Sequence, residues 1–415
     1  MRVRKTPVEV GRLSNGIMTV CATLKNSAVG ICGVSVRAGS RDETPDSYGL
    51  AHFVEHTIFK GTQRRSSSLI INRMEAVGGE LNAFTSKDET VVYSAFPGGN
   101  LSRAVELISD LILNSVFPDK ELDKEREVVC DEISTYLDSP ADAIADDFED
   151  LVFAGTPLGH NILGDKKTLR RLRSAECRAF LDRWYRPDNM VLFYSGPRKP
   201  EAVNAVFERY FGAMTGVAPD RAATVFGLRE RFDVGRRLPS HQAHCMLGAT
   251  TPGLDDAGRY GVALLSNILG GPGMNSLLNV DLRERLGLVY NVETSVTLFR
   301  EIGLLTIYLG CDPGDATRCC DIVRRRIADI AGGYIDRRRL EPAKKQYLGQ
   351  LVVASENREN SILAAARSLL MRRRVIDPAE TVEAIKALAP DDIRLAAESL
   401  SDGLSTLIFS PSVKN

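Results

Sequence analysis

The 415-residue sequence predicts an α+β fold made of two duplicated domains, each a largely antiparallel β-sheet with packed helices. Three observations carry this reading. The chain is longer than one hydrophobic core usually supports. A set of landmarks occurs twice in the same order. Strand-like and helical stretches do not alternate strictly, which argues against a parallel, doubly wound sheet.

The repeat sets the order of the elements. Asn15-Gly16, between polar and apolar runs, is a hairpin turn signal, and MTVCATL and GICGVSVRAG read as strands on either side of a short connection. Tyr48-Gly49-Leu50-Ala51 then recurs as Tyr260-Gly261-Val262-Ala263, and each copy leads into an apolar helical stretch, HFVEHTIFKG or LLSNILGG. Asn82-Ala83-Phe84-Thr85-Ser86 is echoed by Asn291-Val292-Glu293-Thr294-Ser295, each before an alternating run, ETVVYSAF or GLLTIYLGC. Residues 119–138 combine strong helix formers with apolar residues at helical spacing. Both halves end in an apolar strand, NMVLFYSGP and STLIFSP. These landmarks divide the chain into a first domain over 1–215, a linker over 216–231 that mixes small residues, Pro219 and charge, and a second domain over 232–415.

Composition narrows the function. Apolar residues at 44% and charged residues at 26% are the mix of a folded, soluble chain. Fifty-three basic against 54 acidic residues give no charge excess to favour nucleic acid or an anionic membrane. No apolar run is long enough to span a bilayer, and the basic N-terminus has no apolar segment behind it, so no secretory signal is expected. The eight cysteines form no Cys-x-x-Cys pair and mostly sit in apolar runs, as buried thiols in a reducing compartment would. The expected location is the cytoplasm.

The chemistry concentrates in GLAHFVEHTIFKGT, residues 49–62. Asp46 or Ser47 is placed to cap a helix beginning near Tyr48. On that helix His52 and His56 lie four apart, so both imidazoles leave one face at a separation that suits a single cation. Glu55, beside His56, falls near the open coordination position of such an ion. A hydrolytic zinc takes three protein ligands and a water whose pKa it lowers to about 7, and a neighbouring carboxylate takes that water's proton. Glu132, in the amphipathic helix EREVVCDEI, is the best third ligand, with Glu125 two turns earlier on the same face to orient a ligand or hold a proton. Glu127 and Asp131 point elsewhere if Glu132 points inward, but periodicity alone also allows the exchange. Two histidines and a glutamate on a helix often form an ordinary polar face. The repeat argues against that here, because the second half carries Leu264, Asn267 and Ile268 at the shifted positions. The fold does not require the triad.

His52-x-x-Glu55-His56 followed by Glu132 resembles the inverted-motif zinc peptidases, the insulinase, pitrilysin and mitochondrial processing peptidase family. YGLAHFVEH, GGELNAFTS, YRPDNMVLFYSG, LGGPGMNSLL and LRERLGLVY look like its landmarks in its order, over nearly the whole chain, and the length resembles the short, processing-peptidase-like subgroup. The resemblance implies one zinc per chain on His52, His56 and Glu132, with Glu55 as the base and Glu125 as the supporting carboxylate. It also implies that Asn82, Ala83, Phe84 and Thr85 form an edge strand whose backbone pairs with an extended peptide. Arg283 and Tyr290, seven apart, match the pair that holds substrate and steadies the oxyanion. One chain would be half of a clamshell, and those two residues would come from a partner subunit. A homodimer is the implied assembly, or a heterodimer with an inactive homologue. The resulting expectation is a metalloendopeptidase acting on extended or unfolded peptides, with a non-catalytic, peptide-binding scaffold subunit as the alternative. Leu277 and His160 depart from the family pattern, each standing where relatives often carry Arg. His244 is expected in a hydrogen bond of the core or between domains.

Overall fold

The computed structural model describes residues 8–221, 224, 226 and 230–412, so the expected linker 216–231 lies partly outside the described residues. Two mixed β-sheets divide the described chain. The first contains β1 (Val8–Arg12), β2 (Met18–Thr23), β3 (Val29–Val36), β4 (Glu80–Thr85), β5 (Thr90–Pro97) and β6 (Met190–Gly196), in the order β1-β2-β6-β3-β5-β4. The second contains β7 (Asp233–Leu238), β8 (Ala243–Pro252), β9 (Val289–Leu298), β10 (Ile302–Cys311) and β11 (Ser405–Pro411), in the order β7-β11-β8-β10-β9.

The duplication is visible strand by strand. In each sheet the last strand of its half inserts between two early ones, parallel to one (β6 to β2, β11 to β7) and antiparallel to the other (β6 to β3, β11 to β8). Of the echoed segments, Asn82–Thr85 and Asn291–Ser295 fall on β4 and β9, which are the corresponding edges of the two sheets. The Asn15-Gly16 turn joins β1 to β2, with Gly16 at φ 94°, a backbone region that glycine enters without strain. The predicted helix over 119–138 forms from Asp119 to Leu137.

Each sheet packs one face on helices of its own half. Cys32, Val34, Val92 and Phe96 meet Phe53 and Val54 in the first half, while Cys245, Leu247, Leu305 and Leu309 meet Leu264 and Val323 in the second. The opposite faces are covered by exchange. Leu369 and Leu370, on the helix Arg358–Arg372, lie against Val20, Val191 and Phe193 of the first sheet. Phe148 and Phe153, on the helix Pro140–Phe153, lie against Met246, Leu304 and Phe409 of the second. Burying such side chains stabilises by about 1.5–3 kcal/mol each, so neither sheet has a complete core without the other half.

All eight cysteines are free and buried. His244 is a core residue of β8, with Nδ1 2.9 Å from the Tyr308 hydroxyl of β10, as expected. Among the described residues no helix is long and apolar enough to cross a membrane.

Candidate metal centre

The motif helix runs from Leu50 to Thr57 on the inner face of the first sheet. Its cap is not Asp46 or Ser47, which belong to a separate short turn, Pro45–Ser47. The helix instead starts after Gly49, whose φ of 92° is the left-handed region, and the acceptor for its free N–H groups is the side chain of Glu43. That carboxylate receives the Gly49 N–H at 2.8 Å and the Ala51 N–H at 2.6 Å. Burial raises this carboxyl well above the usual carboxylate range, and the Ala51 and Gly49 bonds at the positive end of the helix oppose that.

On the helix, His52 and His56 meet edge to face with ring centres 4.5 Å apart. The helix Asp119–Leu137 crosses beside them and presents Glu132, whose Oε2 lies 3.8 Å from His52 Nε2 and 3.5 Å from His56 Nε2. The three ligand-capable atoms all fall within 4.8 Å of one another, the only such group of three or more His, Cys, Asp or Glu among the described residues. Glu127 and Asp131 face solvent, which resolves the exchange that periodicity left open.

Glu125 stands one layer back. Its Oε1 is 2.9 Å from His56 Nδ1, and its Oε2 is 2.6 Å from Lys60 Nζ. Burial raises the Glu125 carboxyl, but the His56 and Lys60 bonds outweigh it and hold the group below the usual range. His56 shows the converse balance. Burial pulls it down, and the bond to Glu125 with the charges of Glu55 and Glu132 brings it out above its ordinary value. His52, buried and beside His56, is pushed down to about 3.

Glu55 points toward the end of β4, where it bonds both the hydroxyl and the backbone of Thr85. Burial raises its carboxyl, and the Thr85 bonds oppose that. Thr85 was expected only to pair its backbone with a peptide, and its grip on Glu55 was missed. Lys60 was missed as well, although it lies four residues past His56 and its spacing was a usable signal.

The Asn82–Thr85 segment is an edge strand, as expected. β4 pairs with β5 on one side, from Glu80 opposite Ala95 to Thr85 opposite Thr90, and among the described residues has no strand on the other. Arg283 lies in the helical segment Asn279–Arg285 and Tyr290 at the start of β9, both exposed, and among the described residues neither bonds His52, His56, Glu55 or Glu132. His160, one of the two departures from the family pattern, is buried with Nε2 3.2 Å from Glu43 Oε2 and 3.0 Å from the Ser40 carbonyl.

The donor set fits a hydrolytic zinc. Two imidazoles and one carboxylate converge from one side, His56 Nδ1 is already engaged so that Nε2 is the free donor, and the 3.5 and 3.8 Å spacings are close to those of tetrahedral ligands.

Residues 19–166 match the family model described as insulinase (peptidase family M16), and residues 171–347 match peptidase M16 inactive domain. The chain belongs to peptidase family M16. A protein from Mycobacterium leprae named uncharacterized zinc protease is 30% identical over 94% of this chain and 88% of its own length. Bacillus subtilis YmxG, also named uncharacterized zinc protease, is 29% identical over 96% of this chain and 97% of its own. A crystal structure of a protease from Helicobacter pylori superposes with a TM-score of 0.91 at 19% identity, covering 98% of this chain and all of that one. In this M16 chain the second half carries the corresponding helix, Arg259–Gly270, without a metal set. Leu264 is buried in the core and Asn267 donates to the Gln350 side chain at 2.6 Å.

Proposed function

We propose that this M16 chain is a zinc-dependent endopeptidase that cleaves extended or unfolded peptides, with one zinc per chain on His52, His56 and Glu132. The observation that carries the reading is the convergence of those three side chains beside Glu55, itself bonded to the end of an open edge strand. A zinc ion held there supplies a Lewis acid that acidifies water and polarises the scissile carbonyl. Glu55 accepts the proton of the attacking water and passes it to the leaving amine. Glu125 fixes the ring of His56 so that Nε2 faces inward. β4 holds the peptide by backbone pairing along Asn82, Ala83, Phe84 and Thr85, which selects extended conformation with little demand on sequence.

Arg283 and Tyr290 complete the site from a second copy in this reading, Arg283 holding the substrate and Tyr290 donating to the oxyanion. Their exposure, with no bond from either to the cluster of the same chain among the described residues, supports a homodimer with two composite sites. The buried free thiols support a reducing, cytoplasmic setting.

A quenched library of short, unstructured peptides tests the proposal, assayed with zinc and again after chelation. Cleavage that chelation stops and zinc restores is the expected result. Zinc binding without cleavage of any peptide would favour the rival reading, a peptide-holding scaffold subunit.

A further inference from the structure

We propose that Glu43, His160 and Lys87 form a buried brace that positions the motif helix for metal binding and ties it to the peptide-docking strand. The inference rests on the zinc reading above and adds three positioning residues to it, none of which touches the metal ligands.

The chain of contacts begins at Lys87, two residues beyond the end of β4. Its ammonium donates to the carbonyls of Leu158, at 2.9 Å, and of His160, and pairs with Glu149 at 3.3 Å and Asp150 at 3.5 Å. These bonds fix the loop that carries His160. The His160 ring stacks on Tyr48 with centres 3.8 Å apart and planes 9° from parallel, and its Nε2 reaches Glu43. Glu43, with its side chain fully buried, then accepts the two N–H groups at the start of the motif helix.

Backbone packing reinforces the same line. A Cβ on Gly164 would lie 2.2 Å from the Tyr48 carbonyl oxygen, and one on Gly49 would lie 2.6 Å from that of Leu163. The loop and the helix start are thus in contact at glycine-only distance. Three buried polar side chains in series are costly to desolvate and stay buried only while each is bonded. What this series fixes is the axial and rotational setting of a helix only eight residues long, which carries both histidines. An error of under 1 Å there separates His52 and His56 from Glu132.

The test is zinc affinity, measured by chelator competition with the metal alone, on the full chain and its variants. Glu43→Gln, His160→Ala and Lys87→Met are each expected to weaken zinc binding about 10- to 100-fold. His160→Arg, which keeps a planar donor able to stack on Tyr48 and bond Glu43, is expected to stay within about threefold of the unaltered chain. Far-UV circular dichroism and thermal midpoints are read in parallel, and the His160 pair carries the decision if either other variant fails to fold. Equal zinc affinity in folded His160→Ala and His160→Arg would overturn the brace while leaving the metal site intact. No zinc binding by the unaltered chain would overturn the metal reading and the brace with it.

Discussion

His56 Nδ1 lies 2.9 Å from Glu125 Oε1, while Nε2 of the same ring faces Glu132 at 3.5 Å. One imidazole therefore separates two carboxylates of one helix into different roles. In the proposed centre Glu132 faces the ion and Glu125 sets the ring. Glu132→Ala is expected to lose at least two orders of magnitude in zinc affinity, because it removes a ligand. Glu125→Ala is expected to lose about 10- to 100-fold, the usual cost of an orienting partner. Chelator competition on both variants distinguishes them.

The edge of β4 leads to a prediction about the substrate. Pairing to one side of a strand uses the N–H groups of alternate peptide residues. A cleaved peptide N-methylated at successive positions is expected to show an alternating KM, raised about tenfold per lost hydrogen bond at every second residue and little changed between. A monotonic or flat profile would remove the strand from the binding site.

If two copies share each site, two inactive variants should complement. Glu55→Gln lacks the base, and Tyr290→Phe lacks the proposed oxyanion donor. Random mixing leaves about half of the dimers mixed, each with one of its two sites intact, so the mixture is expected to recover about a quarter of full activity. No recovery over the sum of the separate variants would argue for a site built within one chain.

Glu89 gives the stability of the fold a pH dependence. It follows β4 in the turn before β5, its carboxyl is buried, and the Arg367 guanidinium of the exchanged helix is 3.5 Å away. Burial pushes its pKa up to about 7, Arg367 and Arg221 oppose that, and Asp88 adds to it. The folded chain therefore holds a proton that the unfolded chain releases near 4.5, so stability falls as pH rises from about 4.5 to 7. The full penalty is roughly 3 kcal/mol above that window. Glu89→Gln is expected to match the unaltered chain at pH 5 and to melt a few degrees higher at pH 8.

Much of this was legible in the sequence because repeated residues fall at repeated places in the fold. Asn82 and Asn291 are each the third residue of an edge strand, and Tyr48 and Tyr260 both stand at the start of the corresponding helix, Tyr48 just before it and Tyr260 in its first turn. The triad was legible because His52 and His56 share a helix face, and the missing counterparts at Leu264, Asn267 and Ile268 removed a structural explanation for it. The exchange of helices was not legible. Phe148 and Leu369 sit on ordinary amphipathic faces, and local periodicity says that such a face is buried without saying against which sheet. Glu43 was not legible because a helix cap is ordinarily the residue next to the helix, whereas this carboxylate lies six residues before Gly49 and reaches forward across the turn Pro45–Ser47. Glu132 was separable from Glu127 and Asp131 only once the crossing of the two helices was known.

Glu55 is the residue whose loss should separate metal binding from catalysis. Zinc content and turnover of a cleaved peptide should be measured side by side in the unaltered chain and Glu55→Gln. One zinc per chain in both, with turnover reduced by at least about three orders of magnitude in the variant, is the predicted result. Comparable turnover in Glu55→Gln, or no zinc in the unaltered chain, would contradict the assignment of His52, Glu55, His56 and Glu132 as a catalytic metal site.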